Sequence, residues 1–297
     1  MQKILLMFAL LLTVRSAAAL NVFACEPEWA ALAQELGGDK VTVYTATTAL
    51  QDPHQIQARP SLIAQIRKAD LVVCTGAELE VGWLPVLLRQ GSNDTVLPGK
   101  PGYFMAAESV RMLEPPTRLD RSEGDVHPYG NPHIQTAPRN IAKVAQALAQ
   151  RLAEVDNTQS AFYAQRHQDF AARWQQAMQR WQQQAAPLRG VSIVVQHKSW
   201  VYLQDWLGLV EVATLEPKPG IPPSSGYLAE VLTQLRQHPA RMVIRAAYQD
   251  GRSSEWLSKQ TGLPAVELPF TVGGNDNAQD LFALFDDTLA QLLGALK

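Results

Sequence analysis

The 297-residue chain has little charge, little cysteine and, past its first twenty residues, no long apolar run. Charged residues make up 18%, and 26 basic side chains stand against 28 acidic ones, with no basic patch. That balance removes the electrostatic case for a nucleic-acid partner. There is no glycine-rich phosphate loop and no nucleophile elbow, so two common routes to phosphoryl and acyl transfer are missing. No stretch after residue 20 reaches the roughly 20 apolar residues that a spanning helix needs. With only Cys25 and Cys74 present, at most one internal bridge can form.

What is present begins with an export signature. Lys3 supplies a positive start, residues 4–14 are apolar, and Ala17-Ala18-Ala19 offers small residues for cleavage before Leu20. Residues 1–19 are therefore expected to be a secretory signal peptide. No cysteine stands at the cleavage point, so no lipid anchor is expected, and the mature chain should be periplasmic. Without Lys3 and Arg15 the charge balance becomes 24 against 28, a net of −4 rather than −2. Cys25 and Cys74 each follow an apolar, strand-like run. If those runs are neighbours in a parallel sheet, the two thiols share one edge. In an oxidising compartment a disulfide is then expected, with two buried free thiols as the alternative.

The 46% apolar content supports a packed core, and the length suits two domains. Apolar runs at 20–24, 41–45, 69–74 and 106–113 read as strands, and 28–36, 61–68 and about 83–90 as helices. From Arg139 to about Ala185 there is neither Gly nor Pro, and Ala, Gln, Arg and Leu dominate. Helical runs are expected at 139–155 and 161–184, with a brief break at residues 156–159. The strand–helix alternation then resumes, with strands at 191–195, 208–215, 242–246 and 265–268 and a closing helix at 279–296. This is an α/β pattern. It implies two lobes, each a parallel sheet covered by helices, joined by a long linker helix. The expected divisions are 20–138, 139–187 and 188–297. Trp174 and Trp181, seven apart on the connector, should pack against a domain.

Histidine carries the functional signal. The segment Gly124-Asp-Val-His-Pro-Tyr-Gly-Asn-Pro-His133-Ile-Gln-Thr-Ala-Pro138 is shaped by three prolines, each opposing helix at the residue before it. Asp52-Pro53-His54 is a second fragment of this kind, and His197 follows the run 191–196. His54 and His197 stand beyond the carboxyl ends of strands, where open α/β sheets bind ligands. A single loop histidine is ordinarily a solvated or hydrogen-bonded side chain. Three in such positions point to a metal site assembled by the fold, because zinc takes neutral imidazole nitrogen and carboxylate oxygen in a tetrahedron. A carboxylate should complete the set: Asp276 is the choice, with Glu267 or a water as rivals. His127 either captures metal in passing or is plain surface. His238 caps a helix end, and His167 is solvated. Four filled positions leave no place for a catalytic water, so an enzyme is not expected.

As a set, these residues resemble the metal-binding substrate proteins of ABC importers, the zinc/manganese family with a rigid linker helix. Asp52-Pro53-His54 resembles the family's first ligand motif and Asn131-Pro132-His133 the second, usually Asp-Pro-His. Residues 196–202 around His197 resemble the third, and Leu215-Glu-Pro-Lys-Pro-Gly220 a family loop. The resemblance implies capture of a divalent metal between two lobes and delivery to a membrane permease. It favours Zn2+, since His197 stands where manganese members more often have a carboxylate. A periplasmic zinc chaperone is a possible further partner, and a monomer is expected. The chain departs from the family at Asn131, in having only His127 where many zinc members carry a His/Asp/Glu-rich loop, and in lacking aspartate in the segment 268–274. An exported zinc hydrolase and an adhesin that kept this fold are the competing readings.

Overall fold

A computed structural model describes residues 19–117, 124 and 127–297. The expected signal peptide, up to residue 18, lies outside the described residues.

Two four-stranded parallel sheets carry the chain. The first is built from β1 (Leu20–Ala24), β2 (Val41–Thr45), β3 (Leu71–Cys74) and β4 (Tyr103–Met105), in the order β2-β1-β3-β4. The second uses β5 (Ser192–Val195), β6 (Val210–Thr214), β7 (Met242–Ala246) and β8 (Ala265–Leu268), in the equivalent order β6-β5-β7-β8. The central strands are largely apolar because helices cover both faces. Those helices are α1 (Pro27–Gly37), α2 (Pro60–Lys68) and α3 (Leu84–Gly91) in the first lobe. In the second they are α6 (Val201–Leu207), α7 (Ser225–Gln237), α8 (Arg252–Thr261) and α9 (Leu281–Gly294). No helix among the described residues is long and apolar enough to cross a membrane.

The connector differs in detail from one straight rod. It is two helices, α4 (Pro138–Val155) and α5 (Ser160–Gln184), which pack against each other across a 3-10 turn at Asn157–Gln159. Pro138 starts α4 at its first position, where a missing N–H costs nothing. The 25-residue α5 runs between the lobes. It packs against α1 on one side and α9 on the other, burying Phe170, Trp174 and Trp181 against Phe282 and Phe285. One apolar cluster therefore runs from Val22 and Trp29 through α4 and α5 to Ile193, Met242 and Leu289.

The strand expected at 106–113 sits instead at Tyr103–Met105, with a 3-10 turn at Ala106–Ser109. Pairing of Val72, Val73 and Cys74 with Tyr103, Phe104 and Met105 fixes that register. Cys25 and Cys74 are bridged at the carboxyl ends of the adjacent strands β1 and β3, as expected.

Beside the bridge lies a group of buried carboxyls that the sequence did not single out. Glu26, Glu28 and Glu80 are each at most 3% exposed. Glu80 accepts from the Thr75 and Gly76 N–H groups at 2.7 and 3.0 Å, and Glu26 accepts from the Thr75 hydroxyl at 3.2 Å. Glu28, on the first lobe, accepts from the hydroxyl of Thr271, on the second. Burial pushes the Glu28 and Glu80 carboxyls up to about 7. The folded state therefore holds protons that the unfolded chain has released, and stability falls as pH rises from about 4.5 to about 7. For Glu28 alone this amounts to roughly 3 kcal/mol. Glu28→Gln should remove that part of the slope in the metal-free protein. Urea unfolding of both chains at pH 5 and pH 8 measures it, and parallel profiles would refute the assignment.

Candidate metal centre

His54, His133 and His197 come from three separate loops, yet their ligating atoms lie within 4.8 Å of one another. His54 follows β2, and its loop is fixed by Trp83, whose indole N–H donates to the Pro53 carbonyl at 2.8 Å. His197 comes two residues after β5. His133 precedes α4 on the proline-shaped loop. Ring centroids are 5.2 Å apart for His54–His133, 5.7 Å for His133–His197 and 6.0 Å for His54–His197.

Two of the rings are oriented by carboxylates. His54 Nδ1 lies 2.7 Å from Asp52 Oδ1, and His197 Nδ1 lies 2.6 Å from Glu216 Oε2. A carboxylate accepts, so each Nδ1 carries a proton and each Nε2 is the atom turned to the metal, the arrangement of carboxylate–histidine–metal triads. Burial opposes ionisation of Asp52, but its hydrogen bonds to His54 outweigh burial and hold the carboxyl below its usual range. Glu216 is held in turn by the Gly220 N–H at 2.8 Å, which gives the proline-rich loop at 216–223 its role.

His133 is 1% exposed, its ring against Phe270, and its buried Nδ1 has no hydrogen-bond partner. An orphaned buried nitrogen is costly unless something binds it. Burial first, then the other histidines, holds its pKa well below the usual value, so the ring is the neutral form that metals take. His127 is half-buried at the same place, with its Nε2 3.3 Å from His54 Nε2, and burial pushes its pKa down to about 4.

The lobes meet across this group. Asn131 accepts from the His133 N–H at 3.1 Å, and its side-chain amide donates to the Lys198 carbonyl at 2.7 Å. Tyr202 donates to the Asn131 carbonyl at 2.8 Å. An aspartate at 131 has no N–H to give Lys198, so asparagine there ties the His133 loop to the His197 loop. Sequence reasoning noted Asn131 only as a departure.

Asp276 is not brought to the histidines. It lies exposed in the turn after β8, beside Asn275, which donates to Asp287 on α9 at 2.8 Å, and it is not among the clustered ligand atoms. Glu267 is also exposed and pairs with Arg245 at 2.5 Å. From that segment the cleft receives Phe270, against His133, and Thr271, on Glu28. A cavity of about 590 Å³ opens beside the site and is lined by Asp52, His54, His197 and Glu216, and a smaller one of about 110 Å³ by His127, His133 and His197.

Two α/β lobes spanned by a long helix, with three imidazoles converging from both, define a metal-binding protein of the substrate-receptor class. Comparison with known proteins places it further: residues 22–295 match the model for the periplasmic zinc-uptake complex component A, ZnuA, and the chain belongs to that family. It is 21% identical to the high-affinity zinc uptake system protein ZnuA of Bacillus subtilis over 263 residues, 87% of this chain and 81% of that one. It is also 21% identical to the manganese ABC transporter substrate-binding lipoprotein PsaA of Streptococcus pneumoniae, over 81% of this chain and 76% of the relative. Among solved structures, a crystal structure of ZnuA superposes with a TM-score of 0.75 at 22% identity, covering 94% of this chain and all of that one. The Mn-bound periplasmic metal binding protein of Candidatus Liberibacter asiaticus does so at 0.75 and 17%, with the same coverage. The chain is thus a metal-binding substrate-binding protein of an ABC importer and not an enzyme, which disposes of the hydrolase reading.

Proposed function

We propose that this chain captures Zn2+ between its lobes, on His54, His133 and His197, and delivers it in the periplasm to the membrane permease of an ABC importer. The observation that carries the choice of metal is the donor set. The site offers imidazole nitrogens, while the carboxylates in contact with them, Asp52 and Glu216, are engaged on Nδ1. Imidazole suits zinc, and manganese favours carboxylate and other oxygen donors. The bridged Cys25–Cys74 pair agrees with an oxidising compartment and with the signal peptide proposed for residues 1–19. We take the receptor to act as a monomer, loaded directly or by a periplasmic zinc chaperone.

Metal content after exposure of the stripped protein to equimolar zinc, manganese and iron tests this. One zinc per chain, with manganese and iron near background, is the expected result. Manganese at comparable occupancy would overturn the choice of cargo.

A further inference from the structure

We propose that His127 is the fourth ligand of this site, closing it as an all-imidazole tetrahedron in place of the carboxylate expected at Asp276. The inference rests on the zinc reading above and sharpens it.

The first support is a distance. Zinc–nitrogen bonds of about 2.0–2.1 Å at tetrahedral angles put any two ligating nitrogens about 3.3–3.4 Å apart. His127 Nε2 lies 3.3 Å from His54 Nε2. His127 also lines the small cavity together with His133 and His197, so the ring stands over the opening that the other histidines leave. Its nitrogens do not yet reach the 4.8 Å mutual spacing that the other three share. Closing the tetrahedron therefore calls for a further approach of this one ring.

The second support is how the ring is held. The His127 ring lies against the backbone of Ala77 and Glu78. These two residues follow Gly76 in an unusual run of left-handed backbone, with φ of 78, 52 and 66° at residues 76, 77 and 78. Non-glycine residues adopt that conformation at a cost, and such strain gathers at functional sites. Here the buried Glu80 carboxyl grips the Thr75 and Gly76 N–H groups and holds the turn in shape. Asp52 thus holds the His54 ring and Glu216 the His197 ring, and the 77–78 backbone lies against His127.

The third support is the lack of a rival among the described residues. Asp276 and Glu267 are exposed and away from the group, and Asp52 and Glu216 serve Nδ1 atoms.

Zinc K-edge X-ray absorption and competition against a chromophoric chelator test the assignment, using the zinc-loaded full chain, His127→Ala and His127→Asp. The wild type should show four nitrogen neighbours. His127→Ala should show three with one oxygen, and bind zinc roughly 10- to 100-fold more weakly. His127→Asp should recover part of the affinity and narrow the preference for zinc over manganese. Unfolding temperatures of the metal-free variants, expected within a few degrees of the parent because His127 sits on a surface loop, control for misfolding. Unchanged zinc affinity and nitrogen count in His127→Ala would overturn the fourth-ligand assignment and leave the zinc receptor standing. A wild-type chain that takes up no zinc would overturn both.

Discussion

His133→Ala should lower zinc affinity by roughly two to three orders of magnitude while leaving the metal-free fold intact. Zinc sites bind with roughly 10–16 kcal/mol shared among about four ligands, so one ligand carries about 2.5–4 kcal/mol. His133 is the most deeply buried of the three clustered imidazoles and the one whose Nδ1 has no other partner. Water cannot easily stand in for it behind Phe270. The metal-free protein should tolerate the change better than an ordinary core truncation. The cavity left behind destabilises, but removing an unsatisfied buried nitrogen offsets part of that loss. Isothermal titration with zinc, beside a thermal melt of the stripped protein, reads both quantities. An affinity within fivefold of wild type would remove His133 from the ligand set.

The second large effect concerns the Cys25–Cys74 bridge. The two cysteines are 49 residues apart in sequence and wholly buried. Closing a loop of that length lowers the entropy of the unfolded chain by an amount worth about 4 kcal/mol. The bridge also fastens β1 to β3 beside Thr75, which leads into the strained turn at 76–78 and donates to Glu26. The double variant Cys25→Ala/Cys74→Ala should therefore lose about 4 kcal/mol in urea unfolding, and its zinc affinity should weaken less than that of His133→Ala. A loss below about 1 kcal/mol would mean that the unfolded chain is already compact around these residues.

Much of this molecule is written locally in its sequence. The central strands are short, apolar and β-branched, and their glycine and proline boundaries mark them without tertiary help. The ligand loops announce themselves through Asp52-Pro53-His54 and the prolines around His133, because proline excludes helix at the residue before it. The pairing of Cys25 with Cys74 was expected of an exported chain with two cysteines, each after a strand-like run, and the adjacency of those strands bears it out. What stayed hidden is set through space. Strand β4 has three residues, too few to show a period, and its place is decided by pairing with β3. The buried acids Glu26, Glu28 and Glu80 look like ordinary surface charge until the fold brings them together. Asp276 looked suitable by its position after β8, but its side chain is exposed and stands outside the histidine group. His127 was in view from the start, but its burial and its 3.3 Å approach to His54 are set by the fold.

The apolar cluster that threads both lobes through α4 and α5 has a consequence for how the receptor reports its load. Two lobes with separate cores could rotate like jaws, and a permease could sense their angle. Here α1, α5 and α9 pack together, with Phe170, Trp174 and Trp181 buried among Phe282 and Phe285. A hinge would have to break that packing, at a cost of several kcal/mol. The empty and loaded states must then be told apart by the loops at the cleft mouth, so that the message is a local change of texture rather than a change of shape.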